Sequence, residues 1–298
     1  MTVHGLDYRP GPYRPTGRLQ RLWPLAVVEF RSLFRGKWSI ALFLVCAFPS
    51  LVRLVLLLFW LGVLGVGGDR ARRAGAAAPG EFGQFVPTNI DFYVEQVVAP
   101  NHGLLPLLVL TALTTARAVA KDRATNALEL YWTRGISPLQ YFAGKWLGAL
   151  MQIGTLTVGV PVVLWVVGVI FAEDWSFAAD TIGFMPRAVL GLGVFTALLA
   201  ALGVLVSAFS AGANVATVLW CLLVGGSQVV AELLGILTRD DYGAWISVWD
   251  AAAALARTVA GSAGPGDSAA GAAILLGGLG ALLVALARRR LRITEAVG

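Results

Sequence analysis

Six apolar runs approach or exceed the length needed to cross a bilayer: 38–66, 104–120, 146–172, 188–209, 213–237 and 269–287. A helix rises about 1.5 Å per residue, so about 20 residues cover roughly 30 Å of hydrocarbon. The first run is too long for a straight crossing and contains Pro49 and Arg53. It is expected to tilt, to kink at Pro49 or to extend past the membrane. The second is short and carries Pro106, which leaves its ends loose by several residues. Composition agrees, with 57% apolar and 13% charged residues and a mean hydropathy of +0.75. That charge is too sparse to clothe a water-facing surface, since soluble domains carry about 25%. Disorder would need the opposite balance, low hydrophobicity and high charge.

The net charge of +6 gains meaning once each charge is placed. With the N-terminus inside, segments 1–37, 117–145 and 288–298 hold 16 Lys/Arg and five acids: Asp7, Glu29, Asp122, Glu129 and Glu295. The outside segments hold six Arg and eleven acids. Basic residues near span ends mark the cytoplasmic side. The expected fold class is therefore an all-α integral membrane protein with six transmembrane helices, N-in and C-in. The expected location is a bacterial cytoplasmic membrane. A cleavable signal peptide is not expected, because the first apolar run starts at Trp38 and is twice a usual signal core in length. Cys46 and Cys221 both fall within spans, so packing rather than a disulfide framework is expected.

Residues 1–18 are rich in Pro, Gly and Arg and are expected to form a disordered cytoplasmic tail. From Leu19, apolar Leu22, Trp23, Ala26, Val27, Phe30, Leu33 and Phe34 recur at helical spacing, with Arg21, Arg31 and Arg35 on the other face. Segment 19–37 thus reads as an interfacial amphipathic helix starting near Leu22 or Trp23, where Pro24 falls in a first turn that needs no N–H from it. It serves as a membrane float or as a contact for a partner. Segment 238–268 places Trp245, Val248, Trp249, Ala252, Leu255, Ala256 and Val259 on one face. Amphipathic helices lying on, or dipping into, the outer leaflet before the last span are expected there. No fold can be read for 67–102, and 288–298 is a basic cytoplasmic tail. The six-helix domain occupies 38–287, with a cytoplasmic loop at 121–145.

Enzyme chemistry finds little support. The Gly-Lys pairs Gly36-Lys37 and Gly144-Lys145 are each followed by Trp, so neither is a P-loop. Two His and two Cys, far from ligand spacing, supply no metal site. Gly225-Gly226-Ser227 has no base near it except His102 at an outer loop edge.

The loop between the second and third runs is the most informative stretch. Asn126-Ala-Leu-Glu-Leu-Tyr-Trp makes a short amphipathic helix, Gly135 and Pro138 break it, and Tyr141 to Lys145 begin the next span. Such a helix, held between two spans, is either a docking knob for a soluble protein or a solvated connector. Asp122-Arg123, Leu128-Glu129-Leu130, Arg134-x-x-Ser137 and Tyr141-x-x-Gly144-Lys145 together resemble the permease subunit of type-2 ABC exporters. The remaining layout, from the basic interfacial helix to the outer helices before the last span, is similar as well. Members of that family often carry Gly-Thr where this chain has Thr125-Asn126, and Pro at the position of Gly135.

The resemblance implies that the loop sits in a cleft of a cytoplasmic ABC ATPase, present in two copies. ATP and Mg would be bound by that partner, with no cofactor or metal in this chain. It also implies a second permease copy or a similar permease, and alternating access between the two halves. No nucleic-acid partner is expected. Asp122, Arg123, Glu129 and Arg134 are the candidate ATPase-docking residues, as charges of a cytoplasmic hairpin. Arg53, Gln228 and Glu232 are candidates for the translocation pathway, because polar and ionisable groups within spans are costly and tend toward function. Snorkelling of Arg53 and the nearness of Glu232 to a span end are the structural alternatives. The competing functional readings are a self-contained secondary carrier and a non-transporting scaffold. Gly191, Gly193, Gly203, Gly277, Gly278 and Gly280 permit close helix approach, within one subunit or across a dimer seam.

Overall fold

A computed structural model describes residues 18–34, 37–64, 84–133, 136–172, 175–240, 242–264 and 266–296, with 18–21, 38, 102, 129, 130, 132 and 288–296 described in backbone only. Residues 1–17 of the expected tail 1–18, residues 67–83 of loop 67–102, and Arg134 lie outside the described residues. All regular structure among the described residues is helical. Among the described residues, five helices are long and apolar enough to cross a membrane. They are α2 (Lys37–Trp60), α7 (Pro138–Phe171), α9 (Met185–Phe209), α10 (Ala213–Thr238) and the Ala269–Ala287 part of α13, which itself spans Ala269–Ala296. The shorter helices are α1 (Arg18–Ser32), α3 (Ile90–Val98), α4 (Leu105–Leu113), α5 (Ala118–Ala124), α6 (Ala127–Thr133), α8 (Ser176–Ile182), α11 (Gly243–Ile246) and α12 (Val248–Ala260).

The apolar run at 104–120 does not form one long helix. A π turn (Pro100–Leu104) leads into α4, Thr114 leaves the helical region at φ −108° and ψ −81°, and a 3-10 turn (Thr115–Arg117) leads into α5. Thr111 Oγ1 donates to the Leu107 carbonyl at 2.6 Å, and Thr114 Oγ1 to the Leu110 carbonyl at 2.7 Å. Hydroxyls bonded back in this way compete with the backbone ladder and bend helices. Pro106 stays in the first turn of α4, where its missing N–H costs least.

Helix α9 is the axis of the core, buried at intervals from Met185 to Ala208. Between membrane helices close packing replaces the hydrophobic drive available in water, and small residues allow it. A Cβ on Gly191 would stand 2.4 Å from the Ala256 carbonyl of α12, and one on Gly203 would stand 2.8 Å from Thr115. Gly193, Gly277, Gly278 and Gly280 meet nothing within 4 Å. Only Gly191 and Gly203 of that set therefore serve packing within the described chain.

Two elements differ from the reading of the sequence. Helix α1 begins at Arg18, so Pro24 lies inside it rather than in its first turn. Helix α12 lies within the bundle and not along its outside: Trp249, Ala251 to Ala254, Ala256 and Ala260 are all buried. Alanines on nearly every side let α12 press against α9, α13 and α3 at once. Trp249 anchors it, edge-on to Phe195 at 5.0 Å, with its indole N–H donating to the Val98 carbonyl at 2.7 Å.

Candidate functional site

The hairpin between the segmented run and α7 is built from three devices. The first N–H groups of a helix have no partner within it. In α5 those of Val119 and Ala120 are taken by Ser207 Oγ of α9, at 2.9 and 3.0 Å. Arg123 then reaches the orphan carbonyls at the end of α9, donating to Ser210 O at 2.9 Å and to Ala208 O. A cation at a helix C-terminus also meets the negative end of its dipole. The turn into α6 passes through Asn126 at φ +54°, a left-handed conformation that Asn tolerates. Thus Asn126 serves here without a glycine. Finally, Ser137 and Gln140 form a reciprocal capping box at the start of α7, with Pro138 at its first position.

Asp122 does not project to the surface. Its Oδ2 lies 2.9 Å from Lys145 Nζ and accepts from the Tyr141 hydroxyl at 2.8 Å. Lys145 Nζ also lies 2.6 Å from Glu29 Oε2 of α1, and the Lys145 side chain is only 7% exposed. Gln152, two turns along α7, donates to the Glu29 carbonyl at 2.6 Å. Gly144 and Gly148 make this possible: Cβ atoms there would stand 2.8 Å from Leu25 Cβ and 2.4 Å from Glu29 Cβ. Helices α1, α5 and α7 are therefore locked by one buried cation and two carboxylates. Replacing a whole buried group of this kind by apolar side chains is often neutral, whereas removing one partner is costly because the others are left uncompensated.

Of the four candidate docking residues, Asp122 and Arg123 face inward to this lock and to α9. The Glu129 side chain and Arg134 lie outside the described residues. Sequence reasoning missed Glu29, Tyr141, Lys145 and Gln152 as site residues. A signal was present in Glu29, an acid in a basic helix, spaced with Leu22, Ala26 and Leu33 on the apolar face.

The three candidate pathway residues are not brought together. Arg53 is 3% exposed. It donates to the Gln84 carbonyl and, at 3.2 Å, to the Phe92 carbonyl, and lies over the Phe85 and Phe92 rings at 5.2 and 5.1 Å. Gln228 and Glu232 do meet, at 3.4 Å across one turn of α10. Ser247, the N-cap of α12, donates to Gln228 Oε1 at 2.5 Å. Glu232 is exposed and lines a cavity of about 340 Å³ with Arg239, Asp240, Tyr242 and Asp250.

Near the other end of α9, Arg257 of α12 grips Glu95 of α3 through two bonds of 2.8 and 3.0 Å, and Asp267 through one of 3.0 Å. Burial would lower the Arg257 pKa, but the hydrogen bonds and charges of Glu95 and Asp267 outweigh it and hold the guanidinium above its ordinary range. No curated protein and no solved structure matches the chain. The family profile described as ABC-2 family transporter protein matches residues 76–287, well over half of it and including the whole hairpin. The chain belongs to the ABC-2 family of transporter proteins, as a membrane-spanning permease component.

Proposed function

We propose that the chain is one half of an ABC exporter, crossing the membrane six times with both termini in the cytoplasm. The segmented run 100–124 serves as the second crossing, and the hairpin that follows it docks into a cytoplasmic ABC ATPase. Two ATPase copies bind ATP and Mg, and their closure drives alternating access between this chain and a second permease copy or a similar permease. The observation that carries this reading is the rigid mounting of α6. It hangs between α5 and α7, both tied to the body of the protein by buried polar contacts.

A force applied to α6 would pass through Asp122 and Lys145 to α1 and α7, and through Arg123 and Ser207 to α9. In this assignment Asp122 and Arg123 brace the docking element from behind, while Glu129 and Arg134 meet the ATPase. Gln228 and Glu232 border the outer mouth of the translocation route. Arg53 holds α2 to the segment leading into α3.

The test is double charge reversal, Glu129→Lys with Arg134→Glu, in the full chain expressed with its ATPase. Co-purification and stimulated ATP hydrolysis should fall at least tenfold while membrane insertion is unchanged. Undiminished coupling would refute the docking assignment.

A further inference from the structure

Gln96 on α3 is 5% exposed, and neither of its amide atoms has a hydrogen-bond partner among the described residues. It borders a cavity of about 20 Å³ together with Pro49 of α2, Gly103 and Pro106 around the start of α4, and Leu156 and Thr157 of α7. Two of the three π turns in the described chain, 100–104 and 155–159, meet at this point. Such turns are rare and gather at functional places. Pro49, inside α2, also withdraws one backbone amide from that helix. Within a membrane, backbone groups freed by proline are re-satisfied by neighbouring side chains, local π adjustment and ordered water.

The cavity is large enough for one water, which needs about 10–15 Å³ and two to four polar partners, and too small for anything larger. The Thr157 hydroxyl is already engaged, with the Ile153 carbonyl at 3.1 Å and Thr196 Oγ1 at 2.5 Å. An amide buried with nothing to bond would be a standing cost that an apolar side chain of equal size avoids.

We propose that this cavity is a binding site for a single ordered water, held by Gln96 together with Ser50 and the backbone polar groups around Pro49, all of which border it. It forms a hydrated joint where α2, α3, α4 and α7 meet. Hydrogen bonds made through a water re-form readily when helices shift, whereas close-packed side chains resist sliding. The proposal does not depend on ATPase docking.

X-ray radiolysis of the full chain in lipid nanodiscs tests it, since hydroxyl radicals born from ordered water label side chains beside it. Leu156 and Pro106 should be labelled in the wild type. In Gln96→Leu, the labelling of both should fall at least fivefold. Where that variant does not fold, Gln96→Met is read in the same way. Absence of label in the wild type, or equal label in wild type and variant, would overturn the proposal.

Discussion

Each end of the bundle holds one cation between two carboxylates, and the two arrangements use different chemistry. Lys145 is a point charge with three rotatable donors, and it joins Glu29 and Asp122 from two separate helices, with its own and the Glu29 side chain no more than 10% exposed. Arg257 is a planar fork. It spends two donors on Glu95 and one on Asp267, and its side chain is 19% exposed. The lysine can be reached by little water, so its partners depend on it for their solvation. The arginine site borders an open cavity of about 460 Å³, where water can take over part of the work. The lesson is that equal charge counts carry unequal consequences, decided by burial and donor geometry.

The sharpest way to break the comparison is Lys145→Met. Removing one partner of a buried charge group leaves the others uncompensated, a loss of about 3–5 kcal/mol. The thermal midpoint in detergent should fall steeply, and adding Glu29→Gln with Asp122→Asn should restore much of it. A single variant as stable as wild type would mean that water already reaches the site. Arg257→Lys keeps the charge but loses the fork, and should cost roughly 1 kcal/mol in the same assay. A loss matching that of Lys145→Met would erase the distinction drawn between the two ends.

The smallest effect concerns Asp91, beside the Arg257 site. Burial first, and then the charge of Glu95 one turn on, raise its carboxyl above the ordinary 3.8, with Arg257 and Asn89 partly opposing. The folded chain therefore holds this proton more tightly than the unfolded chain. The resulting contribution favours folding at acid pH and is lost as pH rises through the raised value. In a pH series of the thermal midpoint, Asp91→Asn should remove a small acid-side gain; identical slopes would clear Asp91 as its source.

Helix α12 shows why part of the fold was hidden. Its apolar face was legible from Trp249, Ala252 and Ala256, and an amphipathic helix against lipid was the natural expectation. Yet Ala251 and Ala253, on other faces, are buried as well. Alanine satisfies lipid, water and close packing alike, so composition could not say which surface would cover it. The apolar run at 104–120 presents the reverse case. Its hydropathy was plain, but the break at Thr114, where the backbone leaves the helical region beside back-bonded Thr111 and Thr114 hydroxyls, was not legible from it.

By itself the sequence determined the apolar runs, the segregation of basic from acidic segments and the helical hairpin at 121–145, because hydropathy and turn chemistry are local properties. Only the tertiary structure decided that Glu29 meets Lys145 across 116 residues of chain, that Asp122 and Arg123 turn inward, and that Gln96 is buried without a partner among the described residues. Those outcomes depend on which helices become neighbours. Neighbours in turn are chosen by close approach at positions such as Gly148 and Gly191, where a missing Cβ admits a partner that the sequence does not name.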